Sequence, residues 1–88
     1  MSNFTGMDIQ AVRTLATQLN AKADEIDSIR QMLTGQLDST PWVGPDRERF
    51  YGDWTGQYTQ ALNQVAGALR DASSRATTNA NEQEAASG

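Results

Sequence analysis

Cysteine and histidine are both missing from this 88-residue chain. Their absence excludes disulfides, thiolate and imidazole metal ligands, thiol nucleophiles and every acid–base mechanism built on imidazole. A chain of this length makes one domain with little core for its surface, and such domains often lean on a disulfide, a metal or a partner. A partner chain is the support still available. No apolar run approaches the length of a bilayer span, so stable membrane insertion is not expected. Met1 to Gly6 show no basic region followed by an apolar stretch, so no Sec-type signal peptide is read there. On these grounds alone the expectation is a soluble cytoplasmic protein.

A basic face is missing too. The formal net charge is −4. Residues 1–44 carry Arg13, Lys22 and Arg30 against five acids, and residues 45–88 carry Arg47, Arg49, Arg70 and Arg75 against six. A binder of polyanions concentrates its Lys and Arg, and this chain does not, so nucleic acid is not an expected partner. The carboxylates Asp24, Glu25 and Asp27 cluster, yet no histidine or second acid is placed against them, so they read as a solvated acidic face. No catalytic constellation, metal site or cofactor motif is found, and an enzyme is not expected.

What the chain does have is helical periodicity. From Asp8 to about Asp38 the apolar residues Val12, Leu15, Leu19, Ala23, Ile26, Ile29, Leu33 and Leu37 recur at spacings of three and four. That is one face of a helix, and Val12, Leu19, Ile26 and Leu33 make a heptad seam within it. Thr5 and Asp8 are candidates for the start of the helix, with Gly6 a flexible alternative. From about Pro45 to Ala76 a second stripe holds Phe50, Tyr51, Trp54, Tyr58, Ala61, Leu62, Val65, Ala68, Leu69 and Ala72. Aromatics fill its first turns. Each helix is expected to run about 31 residues and roughly 45 Å at 1.5 Å per residue.

Ser39-Thr40-Pro41-Trp42-Val43-Gly44-Pro45-Asp46 separates the two. Pro41 disfavours helical backbone at Thr40 and so ends helix 1. Pro45 suits the first position of helix 2 and biases Gly44 towards an extended conformation, as an N-cap requires. Asp46 and Glu48 add negative charge at the positive end of helix 2. A connection this short predicts antiparallel neighbours, so the fold class is all-α, a helix-turn-helix hairpin over residues 1–76 with its turn at 41–45. Residues 77–88 hold no aromatic or large aliphatic side chain and are expected to form a disordered polar tail.

Two helices in contact cover only part of stripes this wide, so the hairpin is expected to dimerise into a four-helix bundle. The expected dimer interface comprises Val12, Leu15, Leu19, Ile26, Ile29, Leu33 and Leu37 with Phe50, Trp54, Tyr58, Leu62, Val65 and Leu69. Trp54 is its expected anchor. Lys22 stands where the seam calls for leucine, either fixing register or partner through an ion pair or snorkelling to water. Gly52, Gly56 and Gly67 share the opposite face of helix 2, which either admits a close neighbour or is simply tolerated.

Trp42-Val43-Gly44, a W-x-G tripeptide at mid-chain between two amphipathic helices of equal length, resembles the WxG family, the early-secreted-antigenic-target-type substrates of type VII (Esx) secretion. The resemblance covers residues 8–76. It implies dimerisation with itself or with a sister WxG hairpin, and export of the folded dimer by an ATPase-driven membrane machine, which makes the protein secreted rather than cytoplasmic. It also implies that the W-x-G turn takes part in an export signal with a Tyr-x-x-x-Asp/Glu motif after helix 2. Here the sequence departs from the pattern. Thr55 follows Tyr51 by four residues, Leu62 follows Tyr58, and no tyrosine lies beyond. Either a partner carries that motif or this chain is read differently. Trp42 is then a recognition element, a plug for the end of the bundle, or both. The competing reading is an intracellular coiled-coil adaptor whose W-x-G is coincidental.

Overall fold

The computed structural model describes residues 7–87, all of whose regular elements are helical. Helix α1 spans Ile9–Ser39, α2 Pro45–Asp53 and α3 Thr59–Ser87, with a π-helical turn at Trp54–Tyr58 joining α2 to α3 without a break. The chain is a hairpin, α1 against the arm formed by α2, the π turn and α3. Thr5, a candidate cap, lies outside the described residues. Asp8 is the N-cap, and its Oδ1 accepts the Ala11 N–H at 3.1 Å.

The turn works as the two prolines require, with one addition. Helix α1 closes on Thr40, whose N–H and hydroxyl both donate to the Gln36 carbonyl. The Trp42 N–H then donates to the Thr40 carbonyl at 2.8 Å, tightening the chain around Pro41. Gly44 has φ 136° and ψ 176°. Its ψ is extended, as expected before proline, but its φ is positive, in a region essentially reserved for glycine. Pro45 follows at the first helical position and Asp46 and Glu48 lie in the first turn.

The hairpin seam is made of small residues. Ala16, Ala23 and Leu37 are buried on α1, and Trp54, Ala66, Ser73 and Ala80 on the other arm. The Ser73 hydroxyl donates to the Ala16 carbonyl at 2.7 Å, a bond between a side chain and a neighbouring helix backbone that needs a close approach. On the long arm the inward positions are Tyr51, Trp54, Thr59, Leu62, Ala66, Leu69, Ser73, Ala76, Ala80 and Gln83. They are spaced by threes and fours except for the five residues from Trp54 to Thr59. The π turn occupies that interval and absorbs the extra residue, so the seam keeps facing α1.

Residues 77–87 are therefore helical rather than a disordered tail. Ala76, Ala80 and Gln83 continue the seam against the N-terminal half of α1, and Arg13 holds the last turns through Asn81 at 2.8 Å and Glu84 at 2.9 Å. The expected end near Ala76 rested on a lack of large apolar residues, which a seam built on alanine does not need. The arms are accordingly unequal, the second running well past the length of the first.

The molecule is a rod of 64 × 17 × 17 Å with a radius of gyration of 19.5 Å, against about 12 Å for a compact domain of this length. Among the described residues no large side chain is fully enclosed. We expect Gly44→Ala to lower stability by about 1–3 kcal/mol, because a side chain there is strained whatever space surrounds it. Thermal melting of the purified variant measures this.

Candidate functional site

The hairpin has two unlike faces. On one flank of the seam, Arg70 Nη2 donates to Asp24 Oδ1 and to Asp27 Oδ2, each at 2.7 Å, and Arg13 reaches Asn81 and Glu84. These pairs tie α1 to α3. The acidic cluster on α1 thus serves the hairpin itself: Asp24 and Asp27 hold Arg70, while Glu25 Oε2 accepts from Lys22 Nζ at 3.1 Å. The hydrogen bond from the Arg70 guanidinium, with the charges of Arg70 and Arg30, holds the Asp27 carboxyl below its ordinary range despite some desolvation, and the same pairs raise Arg70.

The other flank is apolar and unpartnered. At about 100° per residue, Leu15, Ile29 and Leu33 fall on the side of α1 turned away from Asp24 and Asp27. Phe50, Tyr58 and Val65 fall on the matching side of the second arm, and all six are exposed, with Leu15 at 50% and Met32 beside them at 57%. Val12, Leu19, Ile26, Leu62 and Leu69 line the seam edge and are half-buried.

Two residues of the expected interface belong elsewhere. Leu37 and Trp54 are buried inside a single hairpin, Trp54 at 8% exposure, so they form its own core. Trp54 is held by Thr34: the indole Nε1–H donates to Thr34 Oγ1 at 2.8 Å, and Thr34 Oγ1 donates to the Arg30 carbonyl at 2.8 Å. The aromatic stripe is divided between two faces. Tyr51 and Trp54 turn towards α1, and Arg47 stacks its guanidinium 4.3 Å from the Tyr51 ring centre. Phe50 and Tyr58 stay on the open face.

At the tip, Trp42 lies 6.3 Å from Phe50 between ring centres, and Phe50 lies 6.2 Å from Trp54 and 6.5 Å from Tyr58. Trp42 is 41% exposed, half packed and half presented, while Val43 is 94% exposed at the apex. Between these rings and the end of α1 is a cavity of about 170 Å³ lined by Leu33, Gln36, Leu37, Thr40, Trp42, Phe50 and Trp54. Its walls are mostly aliphatic and aromatic, with Gln36 and Thr40 the polar members and no charged group. Lys22 lies on the open face between Leu19 and Ile26, exposed and paired with Glu25 rather than buried. Gly52, Gly56 and Gly67 face open space, and a methyl group added at any of them would meet nothing within 4 Å.

Four residues that matter here carried no signal of their own in the sequence: Thr34, Arg70, Ser73 and Arg30. Arg30 sits on the seam one helical turn from Thr34, 3.7 Å from Asp27, with its Nε buried and unpartnered. Thr34, Arg70 and Ser73 are polar at positions whose partners are remote in the chain, and Arg30 is marked only by its burial on the seam, so spacing alone does not reveal any of them. Among the described residues no group of His, Cys, Asp or Glu is placed to hold a metal, and no helix is long and apolar enough to cross a membrane. No protein-family model, curated protein or solved structure matches the chain.

Two outcomes follow from this geometry. Thr34→Val leaves the buried Trp54 N–H without an acceptor and is expected to cost about 1–3 kcal/mol in a urea titration. Asp27, with a folded pKa below its unfolded one, contributes stability that is complete above about pH 4. That contribution is lost as pH falls through the lowered value. The melting temperature of the native chain should therefore drop more steeply below pH 4 than that of Asp27→Asn.

Proposed function

We propose that this chain is a WxG-type hairpin that pairs through its apolar face into a four-helix bundle and is exported as a folded dimer by a type VII (Esx) secretion system. Outside, it acts by protein–protein interaction, as effector, as chaperone-like partner or as a component of the secretion pathway. It carries out no catalysis. The observation behind this reading is the tip: Trp42-Val43-Gly44 forms the exposed apex between two long antiparallel helices, and Gly44 holds a backbone that other residues resist. Trp42 has one side packed on Phe50 and one side free for a receptor of the secretion machine.

The need for a partner rests on surface. The chain exposes 6195 Å², about 1,000 Å² more than the roughly 5,100 Å² of a compact chain of its mass. Two such excesses add to about 2,000 Å², the lower range of obligate interfaces. The ion-paired flank already satisfies its charges, so the apolar flank is the one that pairs.

A second reading is favoured by one observation, the lack of an acid four residues after Tyr51 or Tyr58. In it the chain is an intracellular dimerisation adaptor. Export separates the two. In the native host we expect the protein in the culture medium only when the type VII ATPase is intact, with a cytoplasmic marker retained. Equal amounts with and without the ATPase, or none in either, would reject export. Trp42→Ala is expected to abolish export while the purified protein keeps the native mass of a dimer; loss of both would make Trp42 a structural residue.

A further inference from the structure

The recess at the tip is built by one hairpin alone. Leu33 and Leu37 line it from α1, Trp42 from the turn, and Phe50 and Trp54 from the second arm. Each tryptophan is held by a contact that needs no occupant. The Trp54 indole N–H donates to Thr34 Oγ1 at 2.8 Å, and the Trp42 backbone N–H donates to the Thr40 carbonyl at 2.8 Å. Phe50 packs against both indoles, 6.3 Å from the Trp42 ring centre and 6.2 Å from that of Trp54. A recess made this way exists before anything enters it, so an occupant has little to reorganise.

We infer that the tip recess binds a small neutral aromatic molecule carrying one hydroxyl or N–H, of the size of a phenol or an indole. Size comes first. The cavity holds about 170 Å³. An apolar protein cavity of about 150 Å³ takes a benzene ring, so one ring with a small substituent fits here. The preference for a ring follows from the walls, which are three aromatic residues and two leucines. Aromatic rings attract one another in offset and edge-to-face arrangements beyond what burial alone supplies. Neutrality follows from the same lining. It carries no charge to meet an ionised ligand, which would be stripped of water without compensation.

Gln36 and Thr40, the two polar members of the lining, ask for the hydrogen-bonding group. The Thr40 hydroxyl already donates to the Gln36 backbone carbonyl, so it offers a ligand only a lone pair. The Gln36 side-chain amide makes no hydrogen bond among the described residues, and it presents both an acceptor and donors. A phenol hydroxyl or an indole N–H answers either group. A hydrocarbon of the same volume leaves both unanswered, and a carboxylate brings a charge that nothing meets. Neither pairing nor export is needed for this binding, because a single hairpin supplies every wall.

Both tryptophans of the chain line the recess, so their indole N–H signals report on it directly. The isotope-labelled full chain is titrated with p-cresol and followed by heteronuclear NMR. The two indole signals are expected to move together and saturate, with a dissociation constant of about 0.1–1 mM, as contacts to one ring can supply. The amides of Ala16 and Ala80, far from the tip, are expected to stay in place, and benzoate is expected to move neither indole. Leu33→Trp places a larger side chain on the lining at a half-exposed position and is expected to abolish the saturable shift, with helicity checked by circular dichroism. Gln36→Met keeps the shape of the recess and is expected to weaken p-cresol by about five- to tenfold while leaving toluene unchanged. Indole signals that ignore both p-cresol and toluene would overturn the recess as a small-molecule site and leave it to a side chain of a protein partner. Shifts that spread to Leu15 and Val65, or that persist in Leu33→Trp, would overturn its location. Equal weakening of p-cresol and toluene by Gln36→Met would overturn the hydrogen-bonding group.

Discussion

Close approach of two helices along a seam of small side chains governs this structure. Alanine at positions 16, 23, 66 and 80 and serine at 73 let the backbones come near enough for the Ser73 hydroxyl to reach a carbonyl of α1. An inner seam of small residues buries little by itself. It moves the large side chains off the contact line and onto a flank. The opposite flank can then be closed by Arg13 and Arg70 reaching across to Asn81, Glu84, Asp24 and Asp27. These exposed pairs contribute modestly to stability. Their consequence is directional, because they leave one flank satisfied and the other apolar.

The tip is where the seam meets its exceptions. Trp54 is the large residue the seam does admit, and admitting it requires a hydroxyl at Thr34 for its N–H and a π turn in the helix that carries it. One extra residue at that turn keeps Thr59 and everything after it facing α1. Trp54 faces α1, while Phe50, stacked on it, and Tyr58 remain on the open flank, where Phe50 carries the Trp42 ring. The tip cavity lies between these two sets of aromatics, so the turn that ends the hairpin and the irregularity in its second arm together shape a single recess.

Two features of the tip bear on how the hairpin could act. The glycine of W-x-G has a backbone reason, φ 136°, that belongs to the turn whatever the turn is for. The tryptophan has a packing reason on one side only. Its free side, and the unpaired flank that begins beside it, are what a hairpin acting alone leaves unexplained. A function carried out through partners accounts for both, which is why the proposal rests on surfaces rather than on chemistry.

Residue spacing alone determined the two helices, the position of their break and their antiparallel sense, because periodicity and proline act over a few residues. It also picked out Leu15, Ile29, Leu33, Phe50, Tyr58 and Val65, which the hairpin leaves exposed on one flank, since large apolar residues at helical spacing are legible wherever they occur. Tertiary structure decided what those patterns leave degenerate. An apolar stripe does not say which of its edges faces the neighbouring helix, so Leu37 and Trp54 went to the hairpin's own core while Leu15 and Phe50 did not. Alanine reads as neutral in a sequence yet becomes the contact line when two backbones approach. For that reason the helix continues to Ser87, through a segment with no large apolar residue. Arg70 with Asp24 and Asp27, and Thr34 with Trp54, are pairings between residues distant in the chain, and only the packed hairpin brings them together.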